Sequence, residues 1–309
     1  MNSRTILKYV LSATLALAAT SALAQEGILR VGDQRGNARA VMEAAGVLKD
    51  VPYTVEWSEF PNAAPLLEAL TADALDAGSV GDAPLTFATA NGLKAKGIFA
   101  TRYEGNAIIV RNDASFASIK DLVGKKVAVV KGSAGHALLL SALKQAGLKS
   151  DAVEAVYLPP AEATLALNNG AVDAVSTWEP YVSFATLKTN DRILVDGKGF
   201  PSLSYFIASD KAIGDKHDLL KDFVARNAEA RAWGVAHPEE YSKIIAGLVK
   251  IPEDVALGKQ KRELHAPQLI DDSVIKLQQN TIDLYFESGL TTKKLDAKDV
   301  LDDSFRPKS

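Results

Sequence analysis

Between residue 27 and residue 208 the apolar positions of the chain come in short β-branched runs, separated by polar turns and by stretches where apolar residues return every three or four positions. Gly27-Ile28-Leu29-Arg30-Val31-Gly32 reads as a strand ending in glycine, followed by the turn Asp33-Gln34-Arg35-Gly36 and a helical stretch from Asn37 to Leu48. Tyr53 to Phe60 alternates and predicts a second strand, and Asn62 to Thr71 places Leu66, Leu67 and Leu70 on one helical face. The same reading predicts strands at Leu75–Ser79, Gly97–Tyr103 and Gly105–Val110, with a helix over Pro84–Asn91. A βαβαβαβ order of this kind implies a mostly parallel sheet flanked by helices.

A second unit of the same kind follows. Ser118 to Lys126 is a short capped helix and turn leading into the apolar strand Val127–Val130, then a helix over Ala137–Ala146. Tyr157–Leu158, Pro159–Asn169, Val172–Ser176 and Ile193–Val195 continue the alternation, and Leu203–Ala208 is expected to return the chain to the first unit. From Lys216 onward the period is helical, with helices over His217–Ala236, Pro238–Leu248 and Asp272–Ser288, and the tail Lys293–Ser309 reads as charged and loose. Trp233, Tyr241, Tyr285 and Phe286 are expected in the core.

The two units share a repeated stretch. Asp76-Ala77-Gly78-Ser79-Val80-Gly81-Asp82-Ala83-Pro84 is echoed 97 residues later by Asp173-Ala174-Val175-Ser176-Thr177-Trp178-Glu179-Pro180, with Asp-Ala opening, Ser three positions on, a carboxylate six positions on and Pro closing. Each copy reads as a buried strand turning sharply into a helix whose first turn holds the proline, where the missing N–H costs nothing. Such turns point backbone N–H groups outward at the positive end of the helix dipole, which suits anionic oxygens. Two such turns imply a ligand held between two lobes. Trp178 beside one of them would provide an apolar wall for a carbon tail. Asp82 and Glu179 would repel an anion and are expected to cap backbone N–H groups; if either reached the ligand, an amine-bearing one would be favoured.

Composition changes the picture in three places. Of 309 residues, 47% are hydrophobic and 24% charged, enough for two domains of ordinary size. Met1 to Ala24 has a basic start at Arg4 and Lys8, an apolar stretch and the small-residue site Ala22-Leu23-Ala24, the pattern of a cleaved secretory signal. After it, 33 basic residues stand against 38 acidic ones, a net −5 that argues against nucleic acid and against an anionic membrane. The sequence contains no Cys, so stability is expected to rest on the core without disulfides, and no lipid anchor is expected at the cleavage site. The location these features imply is a bacterial periplasm.

Reactive chemistry finds little support. Lys131-Gly132-Ser133-Ala134-Gly135-His136 invites a nucleophile reading for Ser133 with His136 as base, but the hydrolase elbow requires glycine at position 131, where this chain has lysine. A second anion-binding helix start fits better, with Ser133 donating hydroxyl and amide and His136 donating or filling; a plain N-cap is the remaining alternative. The phosphate loop fails at Lys126 and at Ile119. The four histidines are scattered without paired spacing, so neither metal nor cofactor is expected.

Taken together, these segments resemble the periplasmic solute-binding proteins of ABC importers of the sulfonate, taurine and nitrate type, nearest the aliphatic sulfonate binders. The resemblance spans the chain beyond the leader. It is carried by Leu29-Arg30-Val31-Gly32-Asp33-Gln34, Val55-Glu56-Trp57-Ser58-Glu59-Phe60, Pro65 to Leu70 and Gly81-Asp82-Ala83-Pro84, then by Gly124 to Val129, Lys131-Gly132-Ser133, Val156 to Ala161, Gly170 to Ala174 and Trp178-Glu179-Pro180-Tyr181. It implies an α/β fold, a two-lobed periplasmic binding protein type II with two crossing strands as hinge. Residues 25–109 and 206–309 would form one lobe and 110–205 the other. It implies further that a small aliphatic sulfonate is met at Gly81 and Asp82, at Ser133, and by Gln34 and Trp178. Ser79, Asn106, His136, Glu179 and Tyr205 complete the candidate set. The partners implied are that anionic ligand and a membrane permease, with no nucleic acid, and the receptor is expected to be a monomer. Taurine, nitrate, bicarbonate, a sulfate ester or a pyrimidine are alternative cargoes, and an enzyme on this fold is the alternative class. Asp33, Arg35 and Glu179 depart from the family pattern at positions bearing on the ligand's tail.

Overall fold

The computed structural model describes residues 27–306, so the leader and its cleavage site lie outside the described residues. In chain order the elements are β1 (Ile28–Gln34), α1 (Ala38–Ala44), β2 (Thr54–Phe60), α2 (Ala63–Thr71), β3 (Ala77–Gly81), α3 (Asp82–Ala90), β4 (Ala95–Tyr103), β5 (Ala107–Val110), β6 (Lys126–Val129), α4 (Ala134–Gln145), β7 (Glu154–Tyr157), α5 (Pro160–Asn168), β8 (Ala174–Thr177), α6 (Tyr181–Lys188), β9 (Arg192–Asp196) and β10 (Ser202–Ser209). Then follow α7 (Asp210–Asp215), α8 (His217–Ala236), α9 (Pro238–Val249), α10 (Glu253–Glu263), β11 (Pro267–Gln268), α11 (Asp272–Glu287) and α12 (Ala297–Val300).

Two sheets form, in the orders β11-β4-β10-β3-β1-β2 and β7-β6-β8-β5-β9. Within the first, β2, β1 and β3 run parallel while β10 pairs antiparallel with β3 and β4. Within the second, β7, β6 and β8 run parallel while β5 pairs antiparallel with β8 and β9. Both sheets are therefore mixed, with four of six strands in the first and four of five in the second sharing one direction. The reason is topological: each sheet takes in one strand that arrives from the other lobe, and that strand, β5 or β10, is inserted against the grain. Boundaries expected at 109/110 and 205/206 fall inside β5 and β10; sheet membership changes instead across residues 104–106 and 197–201.

The repeated stretch has a structural cause. Asp76 accepts the backbone N–H of Arg30 at 2.7 Å, and Asp173 accepts that of Lys126 at 2.9 Å, so each copy pins its strand to the neighbouring parallel strand. Those carboxylates take an edge amide that would otherwise go unpaired.

Side-chain alternation puts both faces of each sheet to use. In β5, Ala107 and Ile109 pack under α5 and α6, while Ile108 and Val110 pack under α4. Around the first sheet, Leu29, Val31 and Phe206 meet α1, α8 and α9, and the opposite face, with Val80, Tyr205 and Ile207, is covered by α2, α11 and α12. The tail expected to be loose is packed: Leu295, Val300, Leu301 and Phe305 are buried, and Leu301 bridges to Gly97 beside β4. Its apolar residues, scattered among charges, find a groove that no local periodicity announces. Tyr241 and Tyr285 are buried as expected, whereas Phe286 is 40% exposed.

Candidate functional site

The carboxyl ends of the parallel strands converge on one cavity of about 890 Å³, which is where open α/β sheets present their ligand sites. Four helices begin at its wall. Asn62 to Ala64 starts α2, Gly81 and Pro84 belong to the start of α3, Ser133 and Ala134 start α4, and Pro180 and Tyr181 start α6. Two come from each sheet's half of the molecule, so the positive ends of four helix dipoles meet across the cavity and favour an anion there.

Of the ten candidate residues, Gln34, Gly81, Ser133, Trp178 and Glu179 line this cavity. Gln34, the last residue of β1, donates through Nε2 to the carbonyl of Ser79 at 3.1 Å, which fixes its amide across the mouth of the sheet. Ser133 is the N-cap of α4: its Oγ accepts from His136 N at 3.2 Å, which leaves its hydroxyl hydrogen for a ligand. Trp178 is half-buried and meets Tyr181 edge-on with ring centres 6.0 Å apart, forming an aromatic wall with Phe184.

Ser79, Asp82, Asn106, His136 and Tyr205 do not line the cavity, and each acts behind it. Ser79 supplies the carbonyl that holds Gln34. Asp82 is buried, and its carboxylate accepts from Ala83 N at 2.8 Å and Thr281 Oγ1 at 3.1 Å, so it orders the α3 turn. Burial pushes its carboxyl up to about 6. His136 accepts through Nδ1 from Gly132 N at 3.2 Å, so its acceptor nitrogen is taken up by the turn before α4. Burial first, then Lys131, depresses it to about 4, which keeps the ring neutral. Asn106 sits in the first crossing segment and donates to Ser202 Oγ at 3.2 Å, while its carbonyl accepts from Gly197 in the second crossing. Tyr205 is a core residue of β10, its phenol raised by burial and by the charge of Asp82.

Glu179 is lodged between the lobes. Oε2 accepts from Ser183 N at 3.1 Å, and Arg262 Nε lies 3.0 Å from Oε1, within ion-pairing distance but out of hydrogen-bonding alignment. Burial, then the nearby Glu263, pushes its carboxyl up to about 7. The same Arg262 reaches Asp196 at 3.1 Å and the Asn106 carbonyl at 3.4 Å, so one guanidinium on α10 links the Trp178–Pro180 turn to the first crossing segment and to the end of β9, where the second begins.

Sequence reading overlooked α10 and with it Lys259, Glu263 and, just beyond, His265, all of which line the cavity. Glu263 is buried; burial raises its carboxyl, but Lys259 and His265 outweigh that and hold it down at about 2. Tyr103 was assigned to a strand only; it lines the cavity, its hydroxyl accepts from Glu179 N at 3.2 Å, and its ring packs on His265 at 5.1 Å. An available signal for α10 was the acidic start Glu253-Asp254 and the basic finish Lys261-Arg262, which match a helix dipole.

Comparison with known proteins adds a family and several relatives. Residues 54–241 match the model of the family described as NMT1/THI5 like. The chain is 33% identical over 304 residues to a protein of Escherichia coli (strain K12) named an aliphatic sulfonates-binding protein, an alignment covering 96% of this chain and 95% of that one. Among solved structures, the periplasmic aliphatic sulphonate binding protein SsuA from Escherichia coli superposes with a TM-score of 0.80 at 30% identity, covering 91% of this chain and 92% of the other. The alkanesulfonate-binding protein SsuA from Xanthomonas axonopodis pv. citri, bound to MOPS, superposes with a TM-score of 0.82 at 27% identity, covering 89% and 98%.

Proposed function

The chain belongs to the NMT1/THI5-like family, and from that membership we propose that it is the substrate-binding component of an ABC importer, a receptor that captures a small aliphatic sulfonate between its lobes and delivers it to a membrane permease. The observation that carries this reading is an alignment to a sulfonate binder along 96% of the chain, in a molecule whose cavity of about 890 Å³ is ringed by four helix starts. The location proposed is the periplasm, reached through the leader, and the receptor performs no chemistry.

A sulfonate stays ionised at any biological pH and offers three acceptor oxygens, so it asks for donors and not for a base. Amide hydrogens at helix starts and the Ser133 hydroxyl supply charge-assisted hydrogen bonds of that kind. A carbon tail would lie along Trp178, Tyr181 and Phe184. The volume of about 890 Å³ exceeds what a bare inorganic anion needs and favours a sulfonate with a sizeable tail over nitrate or bicarbonate. The MOPS held by the Xanthomonas protein, a sulfonate on a ring-bearing chain, supports that size class.

Calorimetric titration with short alkanesulfonates tests the reading. Ser133→Ala and Trp178→Ala are each expected to weaken binding by about 10-fold or more, since a charge-assisted hydrogen bond or a buried aromatic wall carries roughly 1.5–3 kcal/mol. Unchanged affinity in both folded variants would remove this site from consideration.

A further inference from the structure

One wall of the cavity holds a buried ion pair. Lys259 and Glu263 stand one turn apart on α10, both line the cavity, and their side chains are only 5% and 6% exposed. Lys259 Nζ donates to Glu263 Oε2, and His265 Nε2 lies 3.4 Å from the same oxygen. An ammonium carries three donors. Glu263 is the one acceptor that Lys259 meets among the described residues, so two donors of a desolvated group remain without a protein partner beside the cavity. Donors buried in that condition lose their water without gaining a partner, a penalty that a ligand oxygen removes.

The surroundings favour a negative guest at this wall. Arg231 is buried behind it and donates to Asn37, whose side chain belongs to the lining. Glu179, the other buried carboxyl of the lining, is raised to about 7 by burial and by Glu263, which leaves Glu263 as the one buried lining carboxylate held firmly in its charged form. Glu263 is already occupied by Lys259 and His265, and so serves to aim the ammonium rather than to repel the ligand.

We infer that Lys259 is a ligand-binding residue of the cleft, its ammonium oriented by Glu263 and His265 to donate to the anionic oxygens of the bound molecule. The inference rests on the sulfonate reading and adds to it a single buried cation that selects charged sulfonates over neutral analogues. It also places the contact on α10, three residues before the Arg262 that grips the Trp178–Pro180 turn.

The test uses butane-1-sulfonate and its neutral counterpart butane-1-sulfonamide, titrated calorimetrically into the full-length receptor. Lys259→Met alone would strand the buried Glu263, so the informative variant is the double replacement Lys259→Met with Glu263→Gln, which removes both charges at similar volume; Lys259→Gln with Glu263→Gln is the second variant should the first not fold. Loss of the ammonium is expected to weaken sulfonate binding by roughly 10- to 100-fold and to shrink the preference for sulfonate over sulfonamide by a similar factor. Glu263→Gln alone, which keeps the ammonium but loses the carboxylate that aims it, is expected to weaken binding while keeping the preference for sulfonate over sulfonamide. A folded variant without Lys259 that binds butane-1-sulfonate like the parent overturns the inference and leaves the sulfonate reading standing. If the parent ignores butane-1-sulfonate but takes a sulfate ester, nitrate or bicarbonate, the sulfonate reading fails and the same comparison on that anion decides Lys259. Binding none of them overturns both.

Discussion

Glu179 and Glu263 line one cavity and are driven in opposite directions, because burial dominates at the first while Lys259 and His265 dominate at the second. The consequence for stability has a definite sign. Glu179 is raised from an ordinary value of 4.5 to about 7, so the folded chain holds this proton more tightly than the unfolded one. Its contribution to stability is therefore largest below 4.5, declines as pH climbs to 7 and is level above. Glutamine at 179 removes that decline. Urea unfolding should show Glu179→Gln gaining on the parent by roughly 1–3 kcal/mol between the two ends of this window; parallel pH curves would mean that the carboxyl is ionised in the fold. At this scale the sequence was legible where a residue acts through its own turn. Asp82 and Glu179 cap backbone amides, as their place in the repeat suggested. Tyr205 and His136 were misplaced for one reason: a side chain near the site in sequence can point behind it, into β10's core face or onto Gly132.

Among the elements, α4 shows how closely the anion-facing wall is built. The residues before it turn through Gly132, whose φ of +73° is a left-handed conformation, and a Cβ there would stand 2.7 Å from the Phe87 ring. At Gly135 a Cβ would meet the Ser176 carbonyl oxygen at 2.5 Å, so glycine lets the helix start lie directly on β8, where Ser176 Oγ also donates to the Gly135 carbonyl at 2.6 Å. Gly135→Ala is expected to lift the start of α4, lowering stability by roughly 1–3 kcal/mol through overpacking and weakening sulfonate binding through displacement of Ser133. Thermal unfolding and titration of the same variant check both, and a variant equal to the parent in each would show that the helix start can shift without consequence. Strands and long helices were legible because their burial is periodic, and α8 begins and ends where the pattern placed it. By contrast, α10 escaped notice because its sequence is mostly polar, and two of the four residues it buries, Lys259 and Glu263, are charged side chains paired with each other.

For the molecule as a whole, the two halves are joined by more than the two crossing segments. Tyr285 of α11 is fully buried with Ala83 and Leu140, and its hydroxyl donates to the Ser133 carbonyl at 2.9 Å, so a helix packed on the first sheet holds the ligand-facing loop of the second. Lys188 with Asp254 at 2.6 Å and Lys144 with Glu287 at 2.6 Å span the same divide at the surface, where screening leaves such pairs little weight. Tyr285→Phe removes the buried bond alone and is expected to cost about 1 kcal/mol. If that bond helps hold the lobes together, small-angle scattering of the unliganded variant should give a larger radius of gyration, reversed by saturating sulfonate; identical scattering curves would assign Tyr285 to packing alone.

What the sequence determined by itself was the inventory: two α/β units, a repeated strand-turn-helix in each, and helix starts suited to an anion, because periodicity and capping are properties of neighbouring residues. Only the tertiary structure decided which strand joins which sheet, which side chains face the cavity, and that a buried lysine and glutamate from a polar helix complete its wall. Those outcomes depend on contacts between residues far apart in the chain, such as Arg262 with Glu179 and Asp196, and no local pattern encodes where distant charges meet.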